Sequence, residues 1–265
     1  MGRVVETLLW VWIVLESEVC SDSLPGITDA KFIDDCVSEH NRARSSVNPP
    51  ASDMLYMTWD EGLAITARAW ARHCIFEHNI YLDEVRRVHP TFDSVGENLG
   101  IGSPPSSFSV ERVIQNWVDE KQHYNYNLNR CTATCGHYTQ VVWASSYKVG
   151  CAVHLCPNGL EKSRIRNREA FNFVCNYAVR GNMNGMRPYE SQGTACSRCT
   201  GTCEHSLCRK LRVVFTGYTW APDWDPVQSD SNYVNILVVR PIALILTFIA
   251  AYAVHHFYPD TFCYE

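Results

Sequence analysis

His137 has the clearest capacity for chemistry in this chain. It lies in Gly136-His137-Tyr138-Thr139-Gln140-Val141-Val142-Trp143, directly after Cys135. An imidazole titrates near neutral pH and serves as a proton carrier or a metal ligand. Read with a period of two, Tyr138, Gln140 and Val142 share one face, and Thr139, Val141 and Trp143 the other. Bulk on both faces predicts a strand inside a covered sheet, with His137 at its mouth. A solitary histidine beside an apolar run is usually a hydrogen-bonded structural residue, so its role depends on partners supplied elsewhere.

Cysteines form the second reactive set. Cys196, Cys199, Cys203 and Cys208 are spaced closely enough to supply four thiolates to zinc. Thirteen cysteines in 265 residues point to an oxidising compartment, where the same spacing reads as disulfides. The run Lys162 to Arg168 is the only dense positive cluster and reads as a solvated loop. A net charge of -5 excludes a nucleic-acid footprint. The chain holds no His-Glu-x-x-His and no Gly-x-Ser-x-Gly, the common hydrolase signatures.

The elements that must position His137 follow from periodicity. Thr28-Asp29 predicts a cap before a helix carrying Phe32, Ile33, Cys36, Val37 and His40, stopped by Asn48-Pro49-Pro50. A second helix is predicted from Asp60 to Cys74, and a third from Val110 to about Gln122. Loops are expected at 75–95 and 103–107. Strands are expected at His137–Trp143, Lys148–His154 and Ala170–Tyr177. Past Gly181, a cysteine-dense hinge (183–210) lacks the apolar residues for a core of its own. Residues 211–233 read as a stalk.

Both ends look like secretory-pathway segments. A basic start and the apolar run Leu8 to Leu15 predict a signal peptide over 1–22. Residues 234–254 form a 21-residue apolar stretch, which matches the roughly 20 residues of a bilayer crossing. Arg240-Pro241 breaks its upstream half. The expectation is a single-pass type I membrane protein with an extracellular domain and a short cytoplasmic tail at 255–265. A removed lipid-anchor signal or an amphipathic tail are the alternatives, and the protein would then be secreted or held at the surface.

Five stretches in order resemble one family. Gly136–Trp143 is similar to the signature of the CAP superfamily, which comprises cysteine-rich secretory proteins, antigen five and pathogenesis-related proteins. His40-Asn41-Arg42-Ala43-Arg44, Gly96-Glu97-Asn98-Leu99, Trp117-Val118-Asp119-Glu120 and Phe173-Val174-Cys175-Asn176-Tyr177 resemble its other motifs. Residues 51–60 and 146–153 resemble the glioma pathogenesis-related branch. The resemblance implies an α+β fold, a three-layer α-β-α sandwich, spanning 28–182. It implies a cleft tetrad of His78, Glu97, Glu120 and His137, with His78 and His137 as metal ligands. It also implies the disulfides Cys74–Cys156, Cys131–Cys135, Cys151–Cys175, Cys196–Cys203 and Cys199–Cys208. Cys36 is left over. The extra cysteines of the family's channel-regulating domain are missing, so that function does not carry over.

The functional expectation is a non-enzymatic binding module. Weak, exchangeable Zn2+ in the cleft, a sterol or fatty acid, and an unidentified protein are the expected partners. The alternative is a metal-dependent hydrolase using the tetrad, with Glu97 or Glu120 as base.

Overall fold

Helix α1 (Ala30–Ser45) begins where the Asp29 carboxylate accepts the Phe32 N–H at 2.9 Å. That bond satisfies one of the donors orphaned at every helix start. The computed structural model describes residues 24–209, 220–226 and 240–257. Strand β1 (Thr58–Trp59) leads into α2 (Glu61–Ala71), capped in the same way by Asp60. Strand β2 (Gly96–Gly102) precedes α3 (Val110–Asp119), which Ser109 caps and a 3-10 turn, Glu120–His123, extends. A small hairpin of β3 (Tyr124–Asn125) and β4 (Arg130–Cys131) leads to α4 (Gly136–Val141). Then come the long strands β5 (Lys148–Cys156) and β6 (Ala170–Ala178), and a hinge hairpin of β7 (Thr202–Glu204) and β8 (Leu207–Arg209).

The central sheet has the order β1-β5-β6-β2. Strands β5 and β6 pair antiparallel, as do β6 and β2, whereas β1 runs parallel to β5. All nine residues of β6 are buried. Alternation along β6 sorts them: Phe171, Phe173, Cys175 and Tyr177 pack in the core with α1, α3 and α4. Val174 and Ala178 pack with α2. Helices therefore cover both faces of the sheet, and the two apolar cores lie on opposite sides of it. Gly150 sets the approach of α2, because a Cβ there would lie 2.2 Å from the Ala64 amide nitrogen.

Residues 136–143 are not the expected strand. Gly136–Val141 is a short helix, with Thr139 N–H donating to Cys135 O and Val142 N–H to Tyr138 O, each at 3.0 Å. Tyr138, Thr139, Gln140 and Val141 are all buried. Bulk on alternate positions of a covered strand and bulk all round a buried six-residue helix produce the same pattern, so periodicity could not separate them. Strand β2 went unforeseen because three of its seven residues are glycine, which is depleted in strands.

Among the described residues there are five disulfides: Cys74–Cys156, Cys131–Cys135, Cys151–Cys175, Cys196–Cys203 and Cys199–Cys208. Cys36 is a buried free thiol. The described residues from 24 to 226 make one compact unit. Within it, residues 220–226, read from composition as part of a stalk, place Trp224 in the α2-side core.

Helix α5 (Arg240–Phe257) has 18 residues and rises about 27 Å at 1.5 Å per residue. Among the described residues no helix is long and apolar enough to cross a membrane. The spanning helix expected over 234–254 is therefore unsupported in the described part of that range, 240–254. Within the described residues α5 includes Arg240, Pro241, His255 and His256, which dilute its apolar character. The expected signal peptide, residues 234–239 and the end of the tail lie outside the described residues.

Arg44 ties α1 to the far side of the domain. Its side chain is buried and donates to five backbone carbonyls: Leu55, Val141, Trp143, Ala144 and Ser146, at 2.7 to 3.1 Å. Burial pushes its pKa down to about 9, which still leaves it charged at neutral pH. Replacing it by methionine keeps the bulk and strips five carbonyls of a charged donor. Arg44→Met is expected to cost roughly 3–5 kcal/mol in urea unfolding of the oxidised protein. A loss below about 1 kcal/mol would show that the carbonyls find other partners.

Candidate functional site

The four expected cleft residues assemble as two His–Glu pairs. In the first, Glu97 Oε1 accepts from Asn79 N–H at 2.9 Å and meets His78 Nδ1 at 3.0 Å. Its Oε2 meets Asn176 Nδ2 at 3.4 Å, across the β2–β6 register that places Glu97 opposite Asn176. Glu97's side chain is fully buried, whereas that of His78 is 61% exposed. The neighbouring His73 turns elsewhere, toward the Trp224 carbonyl.

The second pair is built at the N-terminus of α4. Glu120 Oε2 accepts the amides of His137 and Tyr138 at 3.0 and 3.2 Å. Its Oε1 meets His137 Nδ1 at 2.6 Å. A carboxylate is favoured there, because the first amides of a helix lack intrahelical acceptors. Glu120 follows directly from α3, so the end of one helix caps the start of another. The His137 ring stacks on Trp117 at 6.1 Å, and Trp117 stacks in turn on Phe173 at 5.5 Å.

Both rings present the same chemistry. With Nδ1–H donating to a carboxylate, Nε2 keeps its lone pair and can ligate a cation. Hydrogen bonding to Glu97, partly offset by burial, raises the His78 pKa. Each imidazole could therefore offer one nitrogen ligand to a cation, with its carboxylate orienting the ring. The four residues do not form a four-ligand cage. Among the described residues, one group of three candidate ligand residues has its atoms within 4.8 Å of one another, and it is Cys196, Cys199 and Cys208. All three sulfurs are in disulfides, so the thiolate-zinc reading of the hinge does not apply.

A buried polar chain connects the His137 pair to the core. His40 Nδ1 lies 2.6 Å from the Cys36 carbonyl, which only accepts, so Nδ1 carries the proton. His40 Nε2 then accepts from the Tyr177 hydroxyl at 2.9 Å. Asn98 Nδ2 donates to that hydroxyl and to the His137 carbonyl, both at 3.1 Å. His40, Asn98 and Tyr177 thus support His137 from below. They sit within the motifs that carry the family resemblance, but their role was not legible there. Asn79 has no such signal beyond its place after His78.

His40 makes the acid stability of this network predictable. Burial, opposed by the Cys36 hydrogen bond, lowers its pKa from 6.5 to about 4. The unfolded chain therefore binds a proton that the folded chain refuses between those values. The stabilisation is full above pH 6.5 and is lost as pH falls toward 4. Its expected size is about 3 kcal/mol. Urea unfolding of the native chain and His40→Gln at stepped pH should show the variant lacking that component. Parallel pH profiles would refute the assignment.

Comparison with known proteins agrees with this architecture. The model of the CAP, or cysteine-rich secretory protein, family matches residues 37–177. The chain is 46% identical over 223 residues to GLIPR1-like protein 1 of Bos taurus, covering 83% of this chain and 86% of that protein. It is 42% identical over 259 residues to glioma pathogenesis-related protein 1 of Mus musculus, covering 94% and 95%. Among solved structures, NaASP2 crystallised with Zn2+ superposes with a TM-score of 0.52 at 25% identity, covering 71% of this chain and 99% of that one. The family match runs from within α1 into β6 and takes in every residue of the two His–Glu pairs: this chain belongs to the cysteine-rich secretory protein family.

Proposed function

We propose that this chain is a non-enzymatic binding module of the oxidising, extracellular milieu that takes up a divalent cation such as Zn2+ weakly at His78 and His137. One observation carries the reading: each imidazole has its Nδ1 tied to a carboxylate, leaving Nε2 as the ligating atom. The similar NaASP2 structure, crystallised with Zn2+, supports it. The five disulfides fit the compartment.

The same geometry argues against the hydrolase alternative. Both glutamates already accept two or more N–H donors, so they orient rings rather than stand free as bases. Calorimetric titration of Zn2+ into native protein is expected to show exchangeable binding that weakens as the pH drops, because proton and cation compete for the imidazole lone pair. His137→Ala and His78→Ala should each weaken it at least tenfold. Unchanged affinity in both variants would remove the cation from the function.

A groove of about 440 Å3 between α1 and residues 108–111 favours a second ligand, a neutral lipid. Phe32, Phe108 and Val110 supply its apolar lining; Lys31 is paired with Asp35, and Asp29, Glu39 and Glu111 leave the groove net negative. Carboxylates repel a fatty-acid headgroup but tolerate a sterol. Saturable binding of a fluorescent sterol, not displaced by palmitate, is the expected outcome. Competition by palmitate, or no saturation, would exclude the neutral-lipid reading.

A further inference from the structure

We infer that residues 220–226 form a clasp, an aromatic-acidic segment that docks on α2 and the following loop and holds in place the loop that presents His78. The segment reads Trp-Ala-Pro-Asp-Trp-Asp-Pro, an unusual density of indole and carboxylate for a spacer. Trp224 is only 9% exposed. Its ring stacks on Tyr81 at 5.1 Å and meets Trp70 edge-on at 6.2 Å. Its indole N–H donates to the Arg87 carbonyl at 2.9 Å.

Two ion pairs flank the indole. Asp225 meets Arg72 at 2.7 Å, with side chains 10% and 21% exposed, so water screens this pair little. Asp223 meets Arg87 at 3.1 Å, but Asp223 is 74% exposed and contributes little. The face therefore accepts a tryptophan followed by an aspartate. The matching peptide is supplied by this same chain.

The docked indole leads directly to the cleft. Tyr81 lies between the Trp224 ring and the Arg87 guanidinium, which sits 4.2 Å from the Tyr81 centroid. The Tyr81 amide donates to Asn79 Oδ1 at 2.9 Å. The Asn79 amide in turn shares Glu97 Oε1 with His78. Within the loop between Asn79 and Arg87 the amides of Leu82, Glu84 and Arg87 close short turns, and an exposed Asp83 pairs with Arg180. Such turns open easily unless something packs on them. Undocking the clasp would free the loop and with it the position of His78, without touching the sheet.

Hydrogen exchange on the full-length oxidised chain tests the clasp, and it reads loop order whether or not the cleft binds a cation. In Trp224→Ala, the amides of Leu82, Glu84 and Arg87 are expected to exchange at least tenfold faster, while β5 and β6 keep native protection. Loop exchange within twofold of native, with the sheet intact, would overturn the inference. If Trp224→Ala also loosens the sheet, charge reversal decides. Asp225→Arg alone should speed loop exchange, and Asp225→Arg with Arg72→Asp should restore it. No change in the single variant, or no recovery in the double, would count against the clasp.

Discussion

The buried guanidinium of Arg44 is the constraint on which the rest of the domain depends. Most buried charges are matched by an opposite charge. This one is matched by a ring of carbonyls from Leu55 and from residues 141–146. Those carbonyls include the end of α4, where intrahelical donors run out. A cation at that end also suits the helix dipole. One side chain from α1 thereby fixes the exit of α4, while Glu120 fixes its entry. A six-residue helix is too short to be stable alone. It exists here because both of its ends are held from outside, and His137 inherits its position from that grip.

The cleft follows from how β2 divides its side chains. Glu97 and Asn98 are adjacent, so a strand sends them to opposite faces. Glu97 meets His78, Asn79 and Asn176, whereas Asn98 meets Tyr177 and the His137 carbonyl. The two histidines are thus organised from one edge strand by neighbouring residues of the same motif. Each ring is polarised by a carboxylate that is itself saturated with N–H donors. That arrangement holds the rings and leaves one ligating nitrogen on each.

Much of the fold could be read from residues 28–182. The caps at Asp29 and Asp60 announced α1 and α2 directly, since both carboxylates bond the amide three residues on. The alternation of β5 and β6 was visible because both faces are apolar. Two readings failed for opposite reasons. The stretch 136–143 offered too few residues for its period to be decided. Strand β2 is rich in glycine, and its pairing with β6 overrides weak local propensity. The apolar run near the C-terminus suggested a membrane span, but among the described residues no helix is long and apolar enough for one, since α5 also carries Arg240, Pro241 and two histidines.

The sequence by itself indicated the oxidising compartment, the two-sided apolar strands and, through five ordered motifs, the family and the four residues that meet as His78–Glu97 and His137–Glu120. Those properties are carried by residue type and spacing, which survive without coordinates. Tertiary structure alone decided that the four residues form two pairs, that Arg44 and the chain from His40 to Asn98 hold the His137 side, and that Trp224 packs beside the His78 loop. Each of these depends on groups far apart in sequence meeting within hydrogen-bond or ring-contact distance. Such meetings are set by the register of β2 on β6 and by the packing of helices on both faces, which no local stretch of the chain encodes.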